Sequence, residues 1–319
     1  MIGQILIALA AGCASATMFA SLTSGALISL VLLYLSPLPL MVAAIGWGPL
    51  SAAIAAIIAA LGVGAIFGSA DLIAYSIAIA LPACWLGHLC LLGRPADQNG
   101  AGSTSAAIEW YPIGHILLWI AGFAVLATGA ALLTLGADAR TIASTLRKFL
   151  LGVFAANKVS AGTDVNRLVE AMVSFAPPAA AILATATLAL NLWLAAKVTA
   201  TSGRLARPWP DLKAIKLPPM TMVALCVAVG LCFSGGLLAM LAKVAASALL
   251  VSYGITGLAV LHTLTLALKS RAFWLGSTYA FVLALGWPLL ALAALGLADA
   301  AFGLRQRYLR AHPPPLPAP

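Results

Sequence analysis

The chain is a succession of apolar runs, each about as long as the 20 or so residues a helix needs to cross a bilayer, and ionisable residues sit almost entirely between them. Only 8% of its 319 residues are charged and 63% are hydrophobic. A soluble domain carries about 25% charged residues, so this chain could not cover its surface with water-compatible groups. No long stretch alternates as a half-buried strand would. The predicted fold class is all-α: a polytopic transmembrane helix bundle of eight or nine membrane segments plus an interfacial amphipathic helix, with the lipid bilayer as its first partner. Residues 1–304 read as the transmembrane domain, and 305–319 as a basic, proline-rich, disordered tail.

The net charge of +9 arises from 17 Lys and Arg against 8 acids. The cations are spread through loops and tail, which suits anchoring to anionic headgroups and argues against nucleic-acid binding. Cys13, Cys84, Cys90, Cys226 and Cys232 lie in apolar runs without CxxC spacing, so they indicate neither disulfides nor a metal site.

The first run, Met1 to Leu22, carries a seam of small side chains at Ala8, Gly12, Ala16 and Ala20. Such a seam lets two helix backbones approach closely, either within the chain or against a partner subunit. Ala14-Ser15-Ala16 also has the look of a signal cleavage site, although no basic start precedes it. The second run is interrupted at Pro37 and Pro39, which predicts a broken or kinked helix. Gly46-Trp47-Gly48-Pro49 marks a turn, and spans are predicted from there to about Phe67, then over Leu72–Leu92 and Pro112–Leu135. Asp71 suits capping of the second of these.

Between Arg140 and Lys158 the apolar residues Ile142, Leu146, Phe149 and Val153 fall at helical spacing opposite Arg140, Ser144, Arg147 and Lys148, as in a helix lying along a membrane surface. A helix from Asp164 to Lys197 follows, with an interruption expected at Pro177-Pro178. Further spans are predicted over Pro219–Ala242 and Val244–Leu268, joined at Lys243, and over Phe273–Ala298, with Trp287-Pro288 inside the last. Lys197, Arg204, Arg207, Lys213 and Lys216 make the loop after residue 197 the best cytoplasmic marker. Nine full spans would then put the arginine tail on the opposite side, whereas two short legs bent at Pro288 would return it.

Polar side chains within spans are few and mark candidate sites: Asn191, Trp193, Tyr253 and His262, with Asn157 at the elbow before the Asp164 helix. They are predicted to bind a small neutral or amphipathic solute, although an interhelical hydrogen bond is the plainer reading of Asn191 and His262. No catalytic, metal or cofactor motif is present, so no enzyme activity is expected and no energy source is visible.

Four short stretches carry a resemblance: Pro37-x-Pro39 with Gly46-Trp47-Gly48-Pro49, Asn166-Arg167-Leu168-Val169 to Pro177 with Asn191, Gly254 to His262, and Gly296-Leu297-Ala298-Asp299 with Arg305. In these the chain resembles the bacterial YybS-like membrane-protein family, grouped with the substrate-binding (S) components of energy-coupling-factor transporters. The resemblance implies the bacterial inner membrane, a solute-binding role, and a transmembrane coupling subunit and ATPase as partners. It would put the docking surface for that subunit on Ala8, Gly12, Ala16 and Ala20. The chain carries more spans than a typical S component, and a non-transporting scaffold or assembly factor is the alternative.

Overall fold

In the computed structural model, which describes residues 2–95, 108–156, 163–266 and 268–311, the small-residue seam of α1 (Ile2–Ala20) faces inward. Ala8, Gly12 and Ala16 are buried against α4 (Pro49–Phe67), and a Cβ on Gly12 would stand 2.6 Å from the Ala55 carbonyl oxygen. Ala20, at the end of the helix, is half-buried. The seam is taken up by the chain itself and is not a free docking surface for a partner.

The proline pair divides the second span into two helices without ending it. α2 (Leu27–Leu35) passes into α3 (Pro37–Trp47) through Ser36, and together they form one span. Pro37 has no amide for the Leu33 carbonyl, which instead accepts from the Ser36 amide at 3.2 Å and hydroxyl at 2.7 Å. Left-handed glycines, Gly48 (φ +95°) and Gly68 (φ +102°), turn the chain tightly into α4 and then α5 (Ser69–Tyr75). Pro82 withholds the amide that would reach Ala78, and the helix widens into a π turn over Ser76–Ala80 before α6 (Leu81–Leu91). Asp71 lies in the first turn of α5 but makes no cap bond. A short hairpin pairs β1 (Gly93–Pro95) with β2 (Ile108–Trp110) and leads to α7 (Ile113–Leu135).

The expected surface helix is α8 (Ala139–Ala156), which packs on α7 and on α9 (Thr163–Thr201). Pro177 and Pro178 do not interrupt α9, which runs 39 residues. At 1.5 Å per residue it is about 58 Å long, roughly twice the hydrocarbon thickness. Its first turns, with Asp164, Arg167 and Glu170, therefore project beyond the apolar region.

The last third departs most from the sequence reading. Lys243 does not separate two spans. Consecutive left-handed glycines, Gly235 (φ +86°) and Gly236 (φ +63°), end α10 (Met220–Leu231) early and start the 29-residue α11 (Gly236–Leu264). The final predicted span is two legs, α12 (Arg271–Leu285) and α13 (Pro288–Phe302), joined at Gly286 (φ +72°). α14 (Leu304–Ala311) then bends away by 73°. The boundary drawn at residue 304 falls inside packed structure, because Arg305 is buried and anchored while the first part of the supposed tail is helical.

Among the described residues seven helices are long and apolar enough to span a membrane, or eight if α13 and α14 count as one bent span; α10 and α12 are shorter. The protein is a multi-pass integral membrane protein with an all-α bundle. α7 and α9 lie between two cores, one built with α1, α3, α4 and α6, the other with α10, α11 and α13. One end of the bundle gathers Trp47, Tyr111, the 202–219 loop, His262 and α14. An Arg305 N–H donates to the Lys213 carbonyl there, so the arginine tail shares a face with the basic loop. The conflict over the side of the tail disappears because α12 and α13 return the chain, while the basic α8 stays at the opposite end.

Candidate functional site

At that same end a cavity of about 710 Å³ opens between α7, α9 and α11. Its inner wall is hydrocarbon: Ile45 of α3, Ile116, Leu117 and Ile120 of α7, Leu192 of α9 and Ile255 of α11. Those positions are apolar for the same reason as the rest of the bundle, and none offers a donor or acceptor to a solute. Apart from the Cys90 thiol and the Trp193 indole, its polar groups come from the loop after α9 and from His262, Arg271 and Tyr279.

Aromatic and cationic side chains hold that loop in place. Arg204 stacks on Trp47 at 4.6 Å and Lys197 on Trp209 at 4.3 Å, contacts that strengthen where water is excluded. Arg207 donates to the Tyr111 carbonyl at 3.0 Å, and its burial pulls the guanidinium below its ordinary pKa without removing the charge. A Cβ on Gly114 would fall inside the Lys216 carbonyl, so the loop sits directly on the first turn of α7. Asp211 accepts from the Lys213 amide at 3.0 Å and caps the short turn Leu212–Ala214.

Across the mouth, His262 of α11 meets two residues of α12. Its Nε2 lies 2.9 Å from the Tyr279 hydroxyl and its Nδ1 3.5 Å from an Arg271 Nη2. An Arg271 N–H pointed at Nδ1 makes that nitrogen the acceptor and places the ring proton on Nε2, which donates to Tyr279. Arg271 Nε is buried and has no hydrogen-bond partner among the described residues. The rim thus brings Arg207, Lys213 and Arg271 together with Asp211 as the one acid among the lining residues.

Of the residues singled out from sequence, Trp193 and His262 line this cavity. Asn191 does not. It is 1% exposed, and its amide donates at 2.8 Å both to the Tyr34 carbonyl beside the α2–α3 junction and to the Thr187 carbonyl of its own helix. This is the interhelical hydrogen bond that was the alternative role for it. Tyr253 is buried where α11 meets α13 and borders a separate, smaller cavity of about 300 Å³ next to Asp299 and Arg305. Asn157 lies outside the described residues. The sequence reading missed Arg207, Trp209, Lys213, Arg271 and Tyr279. The available signal is Trp209 interleaved with the basic residues of the loop, which by themselves indicate only topology.

Comparison with protein-family models, with curated proteins and with solved structures gave no match.

Proposed function

We propose that the protein is a solute-binding membrane component whose ligand occupies the cavity between α7, α9 and α11. One observation carries this reading: a concave site within the 300–1,000 Å³ of small-molecule pockets, largely apolar and with a few polar groups converging at one end. A scaffold or assembly factor needs no such cavity, which weighs against that alternative. The excess of Lys and Arg in the 202–219 loop and in α14 supports a cytoplasmic position for the mouth by the positive-inside rule, and the YybS-like resemblance supports a bacterial inner membrane.

The resemblance to energy-coupling-factor S components makes a coupling subunit and an ATPase the partners to seek by co-purification. With the α1 seam occupied by α4, their contact would have to lie elsewhere on the chain. Native mass spectrometry of gently extracted protein tests the binding role. One small molecule per chain is expected, lost when Ala259→Trp fills the cavity wall. Absence of any bound molecule, or its full retention in that variant, would overturn the reading.

A further inference from the structure

We infer that the ligand is an anionic amphiphile, an oxyanion headgroup on a hydrocarbon chain, drawn from the bilayer past α12. This rests on the solute-binding role above and names the class of solute. The inner wall presents Ile, Leu and Ala surfaces, so a polar or neutral hydrogen-bonding solute would lose its water there without compensation. A hydrocarbon chain loses nothing and gains burial. The mouth is built the opposite way, with three cationic side chains against one carboxylate already engaged by the Lys213 amide.

Arg271 is the specific element. Arg271 lines the cavity and directs Nη2 to His262, while its buried Nε–H has no acceptor among the described residues. An oxyanion at the mouth would accept from the Arg271 guanidinium, whose planar set of N–H donors matches phosphate or carboxylate. The path also favours a lipid over a free anion. α12, which contributes Arg271 and Tyr279 to the cavity, has no buried residue and packs chiefly on α13. Its Phe273, Trp274, Phe281 and Leu283 are exposed, as suits a helix facing lipid. One thin helix, pinned by the His262–Tyr279 bond, therefore separates the cavity from the hydrocarbon of the membrane.

The test is native mass spectrometry of the full chain in a neutral detergent, with phosphatidic acid, phosphatidylcholine or inorganic phosphate added separately. Phosphatidic acid should bind one per chain and at least about tenfold tighter than phosphatidylcholine, as expected when a charged hydrogen bond is at stake. Arg271→Gln should bring the two lipids to within about twofold, while Lys243→Gln at the other end of the bundle should keep the preference. If Arg271→Gln no longer melts cooperatively, Lys213→Gln on the loop is the substitute and should reduce the preference in the same direction. Equal retention of both lipids, or a preference untouched by these rim variants, would overturn the proposal. So would inorganic phosphate that binds as tightly as phosphatidic acid, since the source would then be aqueous. A neutral molecule found in the cavity would sink this proposal and leave the solute-binding role standing; a chain that binds nothing would sink both.

Discussion

Arg305 folds its guanidinium back onto Asp299, with Nη2 and Nε at 2.7 and 2.8 Å from Oδ2 and the Arg305 amide at 2.8 Å from Oδ1. Both side chains are 7% exposed, and the remaining guanidinium nitrogen donates to the Lys213 carbonyl. The pair thereby fastens α14 to the loop that covers the cavity. Removing one partner leaves a buried charge unpaired, at a cost of about 3–5 kcal/mol. Arg305→Leu and Asp299→Leu should each melt well below the parent in detergent, and the double variant should recover part of the loss. A double-mutant cycle on the melting curves checks this, and additive losses would show that the pair is not coupled.

The α11–α13 contact depends on glycine at two facing positions. A Cβ on Gly257 would fall inside the Leu292 carbonyl, and one on Gly296 inside the Tyr253 carbonyl. Backbone approach this close is how spanning helices associate without a hydrophobic drive between them. Gly257→Ala or Gly296→Ala must push α13 away from α11, at about 1–3 kcal/mol of overpacking. Gly122→Ala is the control, since its Cβ would meet nothing within 4 Å and the change adds helix propensity. Thermal melts should separate the first two variants from the third.

The spans were legible because a bilayer demands long apolar runs, and the interruption before Pro37 because proline has no amide to give. What misled was local. Lys243 looked like a loop residue, but a lysine near a helix end can reach the interface along its own stem, and Gly235-Gly236 held the true break. Pro177-Pro178 looked like a break but sits within one continuous helix. The site was half legible. Trp193 and His262 stood out as polar or amphipathic groups in apolar helices, whereas Arg207, Lys213 and Arg271 acquire their role only when the loop and α12 fold over a cavity formed by residues far away in sequence.

Asn191 serves the α2–α3 junction and not the cavity. Its amide answers the Tyr34 carbonyl, while its own Oδ1 is buried with no partner among the described residues. Interhelical hydrogen bonds of this kind contribute on average about 0.6 kcal/mol in membrane proteins. Asn191→Leu should therefore shift the melting temperature only slightly and leave retention of the cavity ligand unchanged in native mass spectra. A loss of ligand with an unchanged melt would return Asn191 to the binding site.

Asp138 sets a pH dependence on α8. Its carboxylate caps the helix, accepting from the Thr141 and Arg140 amides at 3.0 and 2.9 Å and from the Thr141 hydroxyl at 2.8 Å. The Thr141 bonds are the main reason that its pKa is held below the ordinary carboxylate value. A depressed pKa means that the cap's contribution is complete above the unfolded pKa and fades as the pH falls through the folded one. A spin label on Ser144→Cys should accordingly gain mobility only in acid, below the usual carboxylate range. Asp138→Ala should show the mobile spectrum at neutral pH as well.

The return of the chain through α12 and α13 makes a claim about sidedness that labelling can decide. Single cysteines at Ser202 and Gln306 in a cysteine-free background are both exposed and lie at the end of the bundle tied together by Arg305 and Lys213, whereas Ser144 on α8 is exposed at the other end. In sealed vesicles of one orientation, a membrane-impermeant maleimide should label Ser202→Cys and Gln306→Cys from the same side and Ser144→Cys from the opposite one. If Gln306→Cys instead reacted with Ser144→Cys, the last segment would be a full span. The arginines of α14 would then sit opposite the basic loop, and the Arg305–Lys213 contact could not form.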